Sequence, residues 1–272
     1  MSWNQAIWIA GVARSGTSWI GQILNSHPQV RFRFQPLFAY EFKGRVDEDS
    51  TQDEYLDFLN QLWSTETEFL TQADKVRSGE YPRFQKSQSP TALVFKENRY
   101  QSVIEPFLRR VPQARLVAVV RHPCAVINSW RKNSSEFPAG SVLRDEWRFG
   151  NCKNSGPQDY FGYYKWKEVT NLYLDLARQY PDRVFVLQFE RLVHNRMETG
   201  EQMLKFAGLD LDQQTLDFLN ASGDSHQDSY YSVFKNSNVT SKWKQELDSY
   251  VVSEIHDDLQ HTRLQQFLEI PE

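Results

Sequence analysis

Residues 6–19 constrain this chain more than any other stretch. The apolar run Ala6-Ile7-Trp8-Ile9-Ala10 passes directly into Gly11-Val12-Ala13-Arg14-Ser15-Gly16-Thr17-Ser18-Trp19. A short continuous apolar run with β-branched and aromatic residues reads as a buried strand. Beyond Ser15, the apolar residues Trp19, Ile20, Ile23 and Leu24 recur at helical spacing. Strand, small-residue turn and helix in succession aim free backbone N–H groups at an anion. Arg14, Ser15, Thr17 and Ser18 add one fixed charge and three hydroxyls around that turn. The pattern predicts a phosphate cradle.

The loop of nucleotide hydrolases has the pattern G-x-x-x-x-G-K-[ST]. Gly11 and Gly16 keep its glycine spacing, but Thr17 stands in place of the lysine and the cation comes earlier, as Arg14. An ordinary glycine turn between strand and helix is the alternative reading. A second segment bears on the choice. Ala114-Arg115-Leu116-Val117-Ala118-Val119-Val120 is another continuous apolar run, followed by Arg121-His122-Pro123 and a helical stretch from Cys124 to Lys132. Pro123 suits a helix's first turn, where its missing N–H costs nothing. Arg121 then lies at a strand's carboxyl end, with Ser129 one to two turns into the helix. In open α/β sheets that edge is where ligands bind.

Together these segments resemble the sulfotransferases that use 3′-phosphoadenosine 5′-phosphosulfate (PAPS). The family's (K/R)-S-G-T-(S/T)-W loop for the 5′-phosphosulfate is matched by Arg14, Ser15, Gly16, Thr17, Ser18 and Trp19. Its R-x-P-x-x-x-x-x-S motif for the 3′-phosphate is matched by Arg121, Pro123 and Ser129. Val186–Val193 is similar to the family's strand ending in Y-E-D-L. Ser232–Asn236, followed by Lys242-Trp243, looks like the basic segment that closes over the cofactor, which implies Lys235 and Lys242 as further cofactor ligands. Arg14 in place of the commoner lysine looks more like the carbohydrate and tyrosyl-protein branches. His122 replaces the commoner Asp, and Phe189 the usual Tyr.

The resemblance implies a sulfuryl transfer from PAPS, leaving 3′,5′-adenosine bisphosphate (PAP), to an acceptor hydroxyl. Positioning and electrostatics supply most of the catalysis in such a transfer. Arg14 is placed to stabilise the charge on the leaving nucleotide. The segment Leu93–Tyr100 ends a third strand on the same edge and lacks the catalytic His of the hormone-type enzymes, Asn98 standing there instead. Lys96 and Arg99 match the K-x-x-R of carbohydrate 6-O-sulfotransferases. Glu97 is expected as the base, held ionised by Lys96 and Arg99, with Lys96 bridging the sulfate and the acceptor. Glu41 is the rival, and Glu41 and Arg99 are expected near the acceptor. Glu190 is expected to brace the phosphate loop. A carbohydrate or glycan precursor is the expected acceptor; a phenol, a small metabolite or a peptidyl tyrosine stays open, as does a P-loop kinase.

Bulk properties fit one domain. A chain of 272 residues, 40% of them apolar, can bury one sizeable core. The expected fold is α/β: a parallel sheet with strands at 6–10, 93–96, 115–120 and 183–188, flanked by helices, over a single domain 1–272. Residues 47–92 are expected as a helical cap over the ligand edge, 133–157 as a long surface loop, 158–179 as the longest helix and 223–243 as a cofactor-covering loop. Neither a membrane span nor a signal peptide is evident, and two cysteines imply no disulfide framework, so a cytoplasmic location is expected. A net charge of −4 gives no global pull on nucleic acid. No Cys/His spacing of the metal-site kind is present, and no metal is expected.

Overall fold

Alternation along the strands decides the architecture. In the first strand Ile7 and Ile9 enter one hydrophobic core while Ala6, Trp8 and Ala10 enter another. Leu93 and Phe95 likewise part from Val94, and Leu116, Ala118 and Val120 from Val117 and Val119. Strands apolar on both faces need helices on both. The computed structural model describes residues 3–38, 40–224 and 237–269. It has five parallel strands: β1 (Gln5–Ala10), β2 (Val30–Phe34), β3 (Ala92–Lys96), β4 (Ala114–Val120) and β5 (Val184–Gln188), in the order β2-β3-β1-β4-β5. This is the expected α/β fold.

On the face of Ile7 and Ile9 lie α1 (Thr17–Ser26) and, later in the chain, helices at Phe189–His194, Arg196–Phe206 and Gln213–Asp224. On the face of Trp8 lie α2 (Gln52–Ser64), α3 (Ile104–Arg110), α4 (Pro123–Arg131), α5 (Tyr163–Gln179) and, near the end of the chain, Ser249–Leu259. Trp8 anchors that side: its ring meets Phe95 and Phe107 at 5.0 and 5.4 Å, and its Nε1 donates to the Glu97 carbonyl at 3.1 Å. In register, Lys96 ends β3 opposite Ile9, and Arg121 follows the last residue of β4. The carboxyl ends of β1, β3 and β4 thus open on one edge.

Three expectations change. β2 escapes the apolar-run pattern because Arg31 and Arg33 interrupt it. Arg33 is buried; its guanidinium donates to the carbonyls of Leu62, Trp63 and Thr65 at the end of α2, which accounts for a cation inside an edge strand. Residues 47–92 do not cap the ligand edge. Tyr55, Phe58, Leu59, Leu62 and Trp63 of α2 bury against the sheet face beside α3, and no residue of the segment lines the cleft described below. The longest helix begins at Tyr163 rather than 158, behind Gly162, whose φ of +88° breaks the helical path. Among the described residues no helix is long and apolar enough to cross a membrane.

Candidate active site

The loop after β1 is shaped by two left-handed residues, Arg14 (φ +72°) and Gly16 (φ +89°). Residues alternating about that region turn successive N–H groups to one side, forming an anion nest. Thr17 and Ser18 open α1, so their N–H groups have no intrahelical acceptor. No side chain caps that end. A Cβ on Gly16 would stand 2.3 Å from the Phe189 ring, so only glycine fits. Ser15 is buried, its Oγ without a protein partner. Trp19 secures the helix from below, donating to Ser222 Oγ at 3.0 Å and meeting Phe189 edge-on.

The loop after β4 is tied to this cradle directly. Arg121 donates from Nη1 to the Arg14 carbonyl at 2.9 Å and from Nη2 to the Val239 carbonyl at 2.8 Å. Its guanidinium lies 4.9 Å over the Phe189 ring, and its Nε is buried without a partner among the described residues. Burial pulls the guanidinium down to about 10, with Glu190 opposing, so it stays charged at neutral pH. Arg14 reaches across: its Nε donates to Ser129 Oγ at 3.1 Å, and Nη1 lies 3.8 Å from Glu136 Oε2. The two sequence motifs, 115 residues apart at Arg14 and Ser129, form one surface.

Glu190 is fully buried, but it braces the other loop from the one expected. Its Oε1 accepts from the His122 N–H at 3.1 Å, and Oε2 has no hydrogen-bond partner. Burial pushes the Glu190 carboxyl up to about 7, against the pull of Arg121. His122 caps α4, its Nδ1 accepting from the Cys124 N–H at 3.2 Å, and its ring stacks on Trp243. The fold also brings ligand-type atoms of His122, Cys124 and His256 within 4.8 Å of one another, which no sequence spacing announced. With Nδ1 accepting, the neutral His122 ring carries its proton on Nε2 and presents a donor there, not a lone pair for a metal.

Cradle, Arg121 and the end of β3 enclose a cleft of about 440 Å³. Of the residues expected at the site, Arg14, Gly16, Thr17, Ser18, Trp19, Lys96, Arg99, Arg121, Ser129 and Lys242 line it. Lys235 lies outside the described residues. Lys96 is buried with Nζ 4.6 Å over the Phe34 ring; burial pulls its ammonium down to about 8, with Glu97 and Glu136 opposing. Arg99 pairs with Asp159 at 2.7 Å and lies over Phe38.

The two expected carboxylates are not in the cleft. Glu97 is fully buried: Oε1 accepts from the Asn98 and Arg99 N–H groups at 2.9 and 3.1 Å, and Oε2 from Leu37 N–H at 3.1 Å. Burial pushes its carboxyl above the usual range, against those donors and Lys96, where the sequence predicted depression. It ties the loop after β2 to the end of β3 and does not face an acceptor. Glu41 is exposed and accepts from the Thr65 and Thr67 hydroxyls at 2.9 and 2.6 Å, away from the cleft. Sequence reasoning missed Glu136, Lys132, Lys153 and Glu246, which do line it. Lys132 was legible, three residues after Ser129; the others sit in irregular or distant segments with no motif.

A model of the sulfotransferase family matches residues 6–213. The fold is similar to that of a mouse sulfotransferase complexed with PAP, at 11% identity, over 97% of this chain and 87% of that one, with a TM-score of 0.57. The sulfotransferase domain of the Synechococcus PCC 7002 olefin synthase is 17% identical over 94% of each chain, with a TM-score of 0.52. A retinol dehydratase in complex with androsterone and inactive cofactor PAP is 15% identical over 96% of this chain and 82% of that one, at 0.55. At such identities the structural likeness concerns the fold alone. No curated protein matches the chain.

The buried Glu190 makes stability depend on pH. In the unfolded chain its proton leaves near 4.5, whereas the folded protein holds it to about 7. The folded state therefore binds more protons between those values, and stability falls as pH rises through them, by of order 3 kcal/mol. Glu190→Gln keeps an acceptor for His122 N–H and removes this titration. Urea unfolding from pH 4.5 to 7.5 is expected to show the variant gaining on the wild type as pH rises; parallel curves would place an ionised Glu190 in the folded state throughout.

Proposed function

Because the chain belongs to the sulfotransferase family, we propose that its cleft takes PAPS as donor and passes the sulfuryl group to an acceptor hydroxyl on a carbohydrate or glycan precursor. The observation that carries the donor assignment is the pair of phosphate-type sites joined by the bond from Arg14 Nε to Ser129 Oγ. The residues fit a bisphosphate nucleotide. Arg121, which lines the cleft, has a buried Nε without a partner among the described residues, whereas Ser15 is fully buried and does not line the cleft. A polar atom of this kind is costly to bury unless a ligand completes it. On this reading the nest, with Thr17 and Ser18, holds the 5′-phosphosulfate. Arg121 and Ser129 hold the 3′-phosphate, and Lys242, which lines the same cleft, adds a further cation.

When bound, PAPS supplies an activated sulfuryl group on its 5′-phosphate. The protein's own residues then orient and neutralise. The Arg14 and Lys96 cations face the position where negative charge grows on the leaving oxygen, in a setting already ordered before reaction. Lys96 is buried and Arg14 only slightly exposed, so both act in a lower dielectric than water. Phe38, Tyr160 and Phe161 line the cleft, Phe38 lying under Arg99, and aromatic rings are the kind of surface that a sugar ring covers. They support the carbohydrate assignment, together with the K-x-x-R pattern of Lys96 and Arg99.

Two measurements check this reading. Arg121→Ala is expected to weaken PAP about tenfold or more in calorimetry, the loss of a charge-assisted hydrogen bond being worth roughly 1.5–3 kcal/mol. Binding of 5′-AMP, which lacks the 3′-phosphate, should fall less than that of PAP, since for this ligand only the Arg121 support of the Arg14 carbonyl is lost; equal losses for both ligands would remove Arg121 from the 3′-phosphate site. For the acceptor, PAP release with a panel of methyl glycosides is expected to exceed that with simple phenols. The reverse order would exclude the sugar.

A further inference from the structure

The carboxylates around the cleft are nearly all engaged in holding loops. Glu97 accepts three backbone N–H groups, and Glu190 accepts from His122 behind Arg121. Asp159 accepts from the Ser155 N–H and hydroxyl and the Gly156 N–H, and pairs with Arg99. Among the described residues the cleft lining itself contains two carboxylates, Glu136 and Glu246. Glu246 accepts from Asn128 Nδ2 at 2.6 Å and pairs with Lys132 at 2.6 Å.

Glu136 lines the cleft, as Glu97, Glu190 and Asp159 do not, and shares with Glu190 an oxygen that no donor reaches among the described residues. Its Oε2 is buried without a hydrogen-bond donor, and its ion contact is Arg14 Nη1 at 3.8 Å. Its electrostatic influence reaches Lys96. The carboxylate therefore stands among the two cations assigned above to the transferring group. Its backbone is fixed: the Glu136 N–H donates to the Asn133 carbonyl at 2.9 Å, and its own carbonyl accepts from Trp130 Nε1 at 2.9 Å. A fixed backbone and a carboxylate that lines the cleft are what a proton acceptor requires.

We propose that Glu136 is the catalytic residue that takes the acceptor's proton. This rests on the sulfuryl-transfer reading of the cleft. The acceptor oxygen forms its bond to sulfur as the bond from sulfur to the 5′-phosphate oxygen breaks. The electron pair leaves with that phosphate oxygen, and the hydroxyl proton passes to a carboxylate oxygen of Glu136. Glu97 then keeps the cleft's shape, and Glu136 performs the step that sequence position had assigned to Glu97.

Glu136→Gln tests the assignment through two readouts. The first is PAP affinity by calorimetry, expected within threefold of wild type, because Glu136 faces the acceptor's proton and not the phosphates. The second is single-turnover conversion of PAPS to PAP with three probes: water alone, a methyl glycoside, and 4-nitrophenol at mildly alkaline pH, where it is already an anion. Water and glycoside rates are expected to fall roughly a hundredfold or more. The phenolate, with no proton to lose, should fall less than about threefold. Equal rates in wild type and variant, or equal losses for glycoside and phenolate, would overturn the proposal. A tenfold loss of PAP affinity would do so too, by making Glu136 a support for Arg14. A wild type that binds PAP yet consumes no PAPS with any probe also refutes it. A wild type that does not bind PAP refutes the donor assignment itself, and this proposal with it.

Discussion

The bond from the buried Arg121 guanidinium to the Arg14 carbonyl is the point at which sheet, loops and cleft meet. It joins the end of β4 to the cradle after β1, and a second bond to Val239 draws in a segment from late in the chain. A guanidinium largely taken out of water needs its donors satisfied. Protein carbonyls satisfy two of its nitrogens and the Phe189 face covers it, while Nε is buried without a partner among the described residues. Phe189 also fills the space that a Cβ on Gly16 would take. One aromatic ring therefore sets the height of the cradle and the seat of the arginine together.

Charge around the cleft is local in origin. The chain carries a net −4, yet the cleft is lined by Arg14, Lys96, Arg99, Arg121, Lys132, Lys153 and Lys242 against Glu136 and Glu246. Such a concentration of cations in one concavity focuses the field on an anionic ligand. It is held in place by carboxylates that do not face the ligand. Glu190 fixes the turn carrying Arg121, Glu97 the turn carrying Arg99, and Asp159 the Arg99 side chain. Burial raises the Glu97 and Glu190 carboxyls and lowers the Lys96 ammonium.

Much of this was legible before the structure. Continuous apolar runs announced β1, β3, β4 and β5, because strands buried on both faces leave no room for polar alternation. The cradle and Arg121 were legible because phosphate binding at a strand end needs small residues and a cation at fixed spacing. β2 was hidden by Arg31 and Arg33, whose placement depends on helix-end carbonyls that only the tertiary fold supplies. The exchange of roles between Glu97 and Glu136 was hidden for a similar reason. Adjacency to Lys96 put Glu97 near the reacting atoms in sequence, but its two oxygens turn to backbone amides of neighbouring loops. Glu136 sits in an irregular stretch whose path no periodicity fixes.

The account stands on the cleft being a site for a nucleotide with phosphates at both the 3′ and 5′ positions. Thermal unfolding of the unaltered protein tests this most directly, with PAP in the absence of Mg²⁺ compared with ATP in its presence. A ligand at a hundred times its dissociation constant adds about 2.7 kcal/mol to the folded state. PAP alone is expected to raise the unfolding temperature by several degrees, and ATP with Mg²⁺ to leave it nearly unchanged. A rise with ATP and Mg²⁺ and none with PAP would contradict the account and point to a phosphotransferase.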